Sequence, residues 1–364
     1  MVSIEEQIRA VEEEIRTTPY NKATSHHIGR LKAKLARLRE QREKRTASAG
    51  GGEGYAVKKS GHATVVLVGF PSVGKSTLLN AITDAKSEVA PYEFTTLDVV
   101  PGVMEHRGAR IQVLDVPGLI RGAAHGRGRG REVLSVIRVA DLIVMLIDPF
   151  DVQQLSVLEQ ELYDAGIRIN RRPPDVHITR TDRGGVRIST TVPISLDEGT
   201  IRAVLAEYRI HNAHVVIRED ITVDELIDVL SGSRSYLRAI VVFTKADLCS
   251  GELKESLARE HPDALFISAE KGEGLEHLKD RIYEELGFIR VFLKPQGEPP
   301  DLDEPLVIRK GARVRDVCEV LHRDFVSKFR YGRVWGRSAK HEGQRVGLEH
   351  ELEDGDVLTI VIDR

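Results

Sequence analysis

The stretch VVLVGFPSVGKSTLLNAI, Val65 to Ile82, constrains this chain more than any other. A short apolar run reads as a buried strand, stops at Gly69, and passes through a loop into a helix that starts near Lys75. Gly69, Phe70, Pro71, Ser72, Val73, Gly74, Lys75 and Ser76 spell G-x-x-x-x-G-K-S, with Thr77 following. The chemistry needs this order. Backbone N–H groups of a glycine-rich loop cradle phosphates at a helix N-terminus, which already favours negative charge. Lys75 is expected to reach the β- and γ-phosphates, and the Ser76 hydroxyl to ligate Mg²⁺.

Similar apolar runs recur as ATVVLVG, IQVLDV, DLIVMLID, AIVVFTKAD and ALFISAE, separated by helical patterns. That alternation predicts an α/β fold, a P-loop NTPase with a doubly wound, mostly parallel sheet. One interval is too long. About ninety residues separate Asp148 from Ala239, more than one crossover needs. Within it, DVHITR and GVRISTTV flank TDRGG and read as a hairpin, Glu198 to Tyr208 as a helix, AHVVIR as a strand, and Thr222 with Glu225 as a helix cap. The predicted organisation is an N-terminal helical region over 1–48, a nucleotide domain over 60–165 and 237–288, an inserted α+β domain over 166–236, and a β-grasp-like module over 289–364. In the first of these, Ser3 and Glu6 form a capping box, and Ile4, Ile8, Val11 and Ile15 make one apolar stripe. Ile28, Leu31, Leu35 and Leu38 make a second stripe on a basic helix. This reads as a hairpin docked on the body in preference to an RNA-binding arm. Ala47 to Gly54 reads as a linker.

Nearest base-recognition chemistry is TKAD at the end of a strand. Asp247 is placed to accept from guanine N1–H and its exocyclic amine, with Lys245 packed over the ring; Thr244 opens the motif. Adenine offers an acceptor at N1 and no C2 amine, so the buried mismatch rejects it. Ser268 and Ala269, in ISAEKG, are expected to bring a backbone amide to guanine O6. Asp115, Val116, Pro117 and Gly118 end another strand; Asp115 holds Mg²⁺ through water and the Gly118 amide meets the γ-phosphate. In PYEFTTLD, Phe94, Thr95 and Thr96 lie near twenty residues beyond Ser76, and Thr96 is chosen over Thr95 to close on the metal and γ-phosphate. The expected ligands are GTP or GDP with Mg²⁺.

Charge is uneven in a chain whose net charge is only −3. From Arg309 to Arg345 there are eleven Lys or Arg against four Asp or Glu, and from Arg30 to Arg45 eight against two. Such blocks are either solvated faces or sites for an anionic partner. Trp335 reads as core or hairpin packing before RNA stacking. The two cysteines, Cys249 and Cys318, have no metal spacing. The charged N-terminus is unlike a signal peptide and no run approaches a membrane span, so a cytoplasmic monomer without membrane contact or DNA specificity is expected.

GFPSVGKSTLLN, PYEFTTLD, DVPGLI with the following GRGRG, and VWGRSAKHEGQRVGLEHELEDGDVL resemble the developmentally regulated GTP-binding protein (DRG) family, within the Obg-like translation-factor GTPases. The resemblance spans nearly the whole chain. It implies a ribosome- or RNA-associated GTPase, an insertion akin to ribosomal protein S5-like folds, and a C-terminal TGS domain. It carries the metal-ligand roles onto Ser76 and Thr96. Two departures stand out. Thr244 replaces a commoner Asn, which weakens a bond from the base motif to the phosphate loop. Ser72 stands where some relatives have an Asn linked to a potassium ion, so potassium stimulation stays open.

Leu119 follows Gly118 where many GTPases place a water-orienting Gln. Slow intrinsic turnover is the expectation, with Lys75, Thr96 and Gly118 as the catalytic set. Completion of the site falls to the Thr96 backbone, a monovalent cation, or a protein partner that orders residues 121–131. Arg121, Arg127, Arg129 and Arg131 are finger candidates that no spacing separates, and His125 reads as a loop residue. The competing reading is an RNA- or protein-binding adaptor in which GTP is structural.

Overall fold

The computed structural model describes residues 3–19, 21, 24–49, 61–83, 100–116 and 130–363. Helices α1 (Ile4–Thr17) and α2 (Ser25–Ala49) come first, α2 running into the stretch read as linker. The nucleotide domain begins with β1 (Ala63–Gly69), α3 (Lys75–Ile82), β2 (Val100–His106), β3 (Ala109–Asp115), α4 (Gly130–Arg138), β4 (Leu142–Ile147) and α5 (Gln153–Asp164). The insertion holds β5 (Ile167–Ile169), β6 (Val176–Arg180), β7 (Val186–Thr190), α6 (Glu198–Glu207), β8 (Ala213–Ile217) and α7 (Val223–Ser231). The nucleotide domain resumes with β9 (Ser235–Phe243), α8 (Gly251–Glu260), β10 (Leu265–Phe266) and α9 (Leu275–Glu285). The end of the chain forms β11 (Phe288–Leu293), β12 (Leu306–Arg309), α10 (Val314–Leu321), α11 (Arg323–Ser327), β13 (Phe329–Trp335), β14 (Gln344–Val346) and β15 (Asp356–Ile362). These elements divide into two compact units, residues 1–54 with 166–236, and 55–165 with 237–364.

In the second unit, six strands run in the order β10-β9-β4-β1-β3-β2. β1 pairs in parallel with β3 and β4, β4 with β9, and β9 with β10; only β2 against β3 is antiparallel among these. Both faces of β1 and β4 are covered, which is why they read as continuous apolar runs. Each fully buried Val or Leu there contributes roughly 1.5–3 kcal/mol. The C-terminal module is a five-stranded mixed sheet, order β12-β11-β15-β13-β14, closed by α10, whose Val317 joins Val291, Val334 and Leu358 in one core. It shares a core with the nucleotide domain: Phe288 and Val307 pack with Tyr283, Leu286 and Ala109. Arg309 pairs with Asp141 at 2.8 Å.

In the first unit the capping boxes read at Ser3/Glu6 and Thr222/Glu225 are both formed. Ile8, Val11, Leu31 and Leu38 pack α1 on α2. The opposite side of α2 closes the core of the insertion, Ala33 lying fully buried with Ile201, Val204, Leu205 and Leu226. Gly29 explains the close approach: a Cβ there would sit 2.9 Å from Thr200 Cγ2. The basic residues of α2 are partly absorbed by this packing. Lys32 reaches Asp224 at 2.7 Å, Arg39 reaches Glu12 at 2.9 Å, and Arg37 donates to the Glu207 carbonyl.

The expected β6–β7 hairpin does not form. β8 lies between them, antiparallel to β6 and parallel to β7. β8 carries the buried pattern of a central strand, whereas β6 and β7 each show half-buried and exposed positions suited to edges. Loop 181–185, with positive φ at Gly184 and Gly185, spans the gap that β8 fills.

Asp228 lies buried between two guanidinium groups. It accepts from Arg168 Nε and Nη2 at 2.6 and 2.7 Å and from Arg234 Nε at 2.8 Å. Replacing Asp228 by Ala leaves those charges facing one another in the interior. The expected loss is about 3–5 kcal/mol. Hydrogen exchange should show α7 and β8 amides losing protection while β1 and β4 amides keep theirs.

Candidate functional site

The phosphate loop hangs from β1, whose register against β4 sets Gly69 opposite Leu146. A Cβ at Gly69 would meet the Leu146 carbonyl oxygen at 2.7 Å, so only glycine lets the strands approach this closely. Ser72 and Gly74 both have positive φ, 63° and 96°. Left-handed residues of this kind turn successive amides toward one concavity, the backbone form of an anion site. Val73 is anchored in the core while Pro71, Ser72, Ser76 and Thr77 face outward. Helix α3 then points its N-terminus at the same place, held by buried Leu78, Leu79 and Ile82.

Lys75 is 9% exposed, and its Nζ donates to the carbonyls of Gly69 and Phe70, both at 3.0 Å. Burial pulls its pKa below the usual lysine value, with Asp115 opposing the shift. Ser76 Oγ donates to Asp115 Oδ2 at 2.6 Å. Asp115 ends β3 beside Leu67 of β1, so parallel pairing brings together groups 39 residues apart. Val116 is buried just beyond.

The base motif lies along the same strand edge, where open α/β sheets bind ligands. Thr244 is buried, its N–H and hydroxyl both directed to the Ile147 carbonyl, at 3.0 and 3.3 Å. Its hydroxyl therefore ties the base motif to β4. Lys245 has φ +51°, and Ala246 N–H bonds the Ile267 carbonyl at 2.9 Å. A hydrogen bond from Ser268, with Lys271 adding to it, holds the Asp247 carboxyl below its usual range. Ser268 is buried in a two-way backbone bridge to Glu273, and Ala269 packs against the core.

Phe94, Thr95, Thr96, Pro117, Gly118 and Leu119 lie outside the described residues, as do Arg121, His125, Arg127, Arg129 and the Arg131 side chain. Two groups escaped the sequence reading. Lys271 stands 3.6 Å from Asp247, and Asp148 stands 2.8 Å from Lys245. The available signal for Asp148 was an acidic residue directly after a buried strand at the ligand edge. Among the described residues no helix is long and apolar enough to cross a membrane, and no cluster of three or more His, Cys, Asp or Glu forms a metal site.

Comparison with known proteins agrees with this geometry. Residues 64–180 match the family described as a 50S ribosome-binding GTPase, 183–288 the C-terminal region of that domain, and 289–362 the TGS domain. A GTP-binding protein of Methanocaldococcus jannaschii is 59% identical, with 100% of this chain and 94% of the relative covered. The developmentally-regulated GTP-binding protein 2 homolog of Dictyostelium discoideum is 48% identical over 99% of this chain and 100% of its own length. Among solved structures, the YchF GTPase of Schizosaccharomyces pombe aligns over 85% of this chain and 100% of its own, at 15% identity and a TM-score of 0.43. The chain is a GTP-binding GTPase with a C-terminal TGS domain. Its full-length identity to named members places it in the developmentally regulated GTP-binding protein family.

Proposed function

We propose that this GTPase is a nucleotide-dependent switch that docks on the ribosome or other structured RNA. One observation carries the proposal: the outward face of the TGS sheet. Arg333 of β13 lies directly opposite Arg345 of β14, and both are exposed. Like charges opposed across a sheet repel, a cost that an overlying anion offsets. Aromatic rings stand beside them. The Arg345 guanidinium lies 4.2 Å from the Tyr331 ring centroid and Lys294 Nζ 4.8 Å from that of Trp335. Trp335 sits outside the module's core, packed on Gly343 of its hairpin loop. Interleaved rings and cations suit stacked bases and phosphates. The nucleotide domain's match to a family described as ribosome-binding supports the same reading.

The catalytic part of the proposal is in-line attack of water on the γ-phosphate, with the protein positioning groups and spreading charge. Lys75 and the amides of residues 70–76 hold the phosphates. Ser76 Oγ and the Asp115 carboxylate are adjacent hard oxygen donors, few in number, as Mg²⁺ prefers. Ser76, Asp115 and Thr96 would hold the ion, which would supply positive charge beside the phosphates. Apolar Leu119 cannot orient water, so turnover is slow until the ribosome or a protein partner completes the site.

Turnover measured with and without purified ribosomes, in potassium and in sodium buffers, tests the switch. Ribosomes should raise it by at least about tenfold; buffer-level turnover, together with ribosome binding that ignores Lys75→Ala, removes the reading. Arg333→Ala and Arg345→Ala should each reduce the log–log salt slope of RNA binding by roughly one. Asp247→Asn should weaken GTP and strengthen xanthosine triphosphate, whose C2 carbonyl accepts from the new amide; competition binding measures both.

A further inference from the structure

We propose that Asp148 is a positioning residue for guanine binding, acting through Lys245. β4 and β9 are parallel neighbours with Ile147 opposite Phe243, so the next residues, Asp148 and Thr244, leave the sheet side by side. Asp148 uses each carboxylate oxygen for a different purpose. Oδ1 accepts the Phe150 N–H at 3.0 Å and fixes the carboxylate's rotation. Oδ2 accepts from Lys245 Nζ at 2.8 Å. Burial works against the charge, yet the bonds from Lys245 and the Phe150 amide outweigh it and hold the Asp148 carboxyl below its usual range.

Lys245 needs such a hold. Its backbone is left-handed, which an unbranched L-residue adopts only at a cost of roughly 1 kcal/mol. Main-chain bonds on either side, Thr244 to Ile147 and Ala246 to Ile267, fix the peptide but leave four side-chain torsions free. Anchoring the ammonium at Asp148 stretches the aliphatic stem between two fixed points and presents it as a wall. A wall of that kind suits the flat face of a purine. Thr244 contributes to the same arrangement, because its hydroxyl also bonds the end of β4. Among the described residues, neutral bonds from Thr244 and the ion pair of Lys245 thus fasten the base-recognition loop to the end of β4 at consecutive positions.

The proposal rests on the reading of Asp247 as the base acceptor, and Asp247→Asn with xanthosine triphosphate tests that reading separately. For Asp148, the near-isosteric Asp148→Asn keeps an acceptor for the Phe150 amide and removes the charge facing Lys245. Expected are a GDP dissociation rate about three- to tenfold faster and a KM for GTP raised in proportion, at unchanged kcat. A merely structural role would lower kcat and the thermal midpoint together, leaving no such split. The decisive measurement is the double-mutant cycle in the full chain. In a Lys245→Met background, Asp148→Asn should no longer change GDP dissociation. An equal effect in both backgrounds, or none in the wild-type background, overturns the proposal.

Discussion

Parallel pairing of β1 with β3 on one side and β4 on the other is the constraint from which the nucleotide site follows. Leu67 opposite Asp115 sets the acidic residue next to the start of α3, where Ser76 reaches it. Gly69 opposite Leu146 brings the loop so close to the β4 carbonyl that no side chain fits. Ile147 opposite Phe243 then places Asp148 against the base motif. Side chains alternate along a strand with period two, so a slip of one residue would turn Asp115 to the other face and dismantle the site. The apolar contacts that prevent slipping, around Val65, Leu67, Val113, Val144 and Val242, are therefore part of the binding machinery as well as of the core.

At that edge the reactive groups are already mutually satisfied. Lys75 bonds its own loop, Ser76 bonds Asp115, Lys245 bonds Asp148, and Asp247 is held by Ser268. A buried lysine without acceptors would be costly, and the Gly69 and Phe70 carbonyls hold it in place. On the proposed reading, nucleotide binding exchanges the partners of Lys75 and Ser76 and leaves Lys245 on Asp148. Its free energy is a difference between two well-bonded states, so small changes in the supporting groups are felt in affinity. Geometry that is present beforehand also spares the ordering entropy that a loose site would have to lose.

Local signals carried far in the sequence, and nonlocal ones did not. The capping boxes at Ser3 and Thr222 were legible because each closes within four residues. The phosphate loop, Asp115 and the TKAD motif were legible because strand, turn and helix follow one another directly. Strand order in the insertion was not legible. TDRGG looks like a hairpin turn from its composition, and only the greater burial of β8, some thirty residues away, decides the pairing. Asp148 offered only its place after a buried strand, and its pairing was hidden for the same reason, the partner lying 97 residues on. The docking of α2 on α6 and α7 was hidden in one position, Gly29, whose lack of a side chain matters only once α6 is beside it. Trp335 in RVWG reads as core or hairpin packing, and alternation with Val334 along β13 settles it as the second, turned out of the core and packed on Gly343 of the hairpin loop.

How the TGS sheet is fastened bears on how the proposed switch would work. Arg309 pairs with Asp141, and Asp141 in turn accepts the N–H of Thr64 at the start of β1. The phosphate loop leaves the other end of that strand, roughly 17 Å away at 3.3 Å per residue. Phe288 and Val307 fix the module further by sharing the domain core. Such an attachment transmits position and little else, because a packed strand has no second arrangement to adopt. The face bearing Arg333 and Arg345 is accordingly not expected to change with the nucleotide. A partner that distinguishes GTP from GDP must touch the nucleotide edge as well as this face. A body as large as the proposed ribosomal partner would span both. On that reading the sheet face would supply a constant part of the affinity, and the nucleotide edge the part that changes.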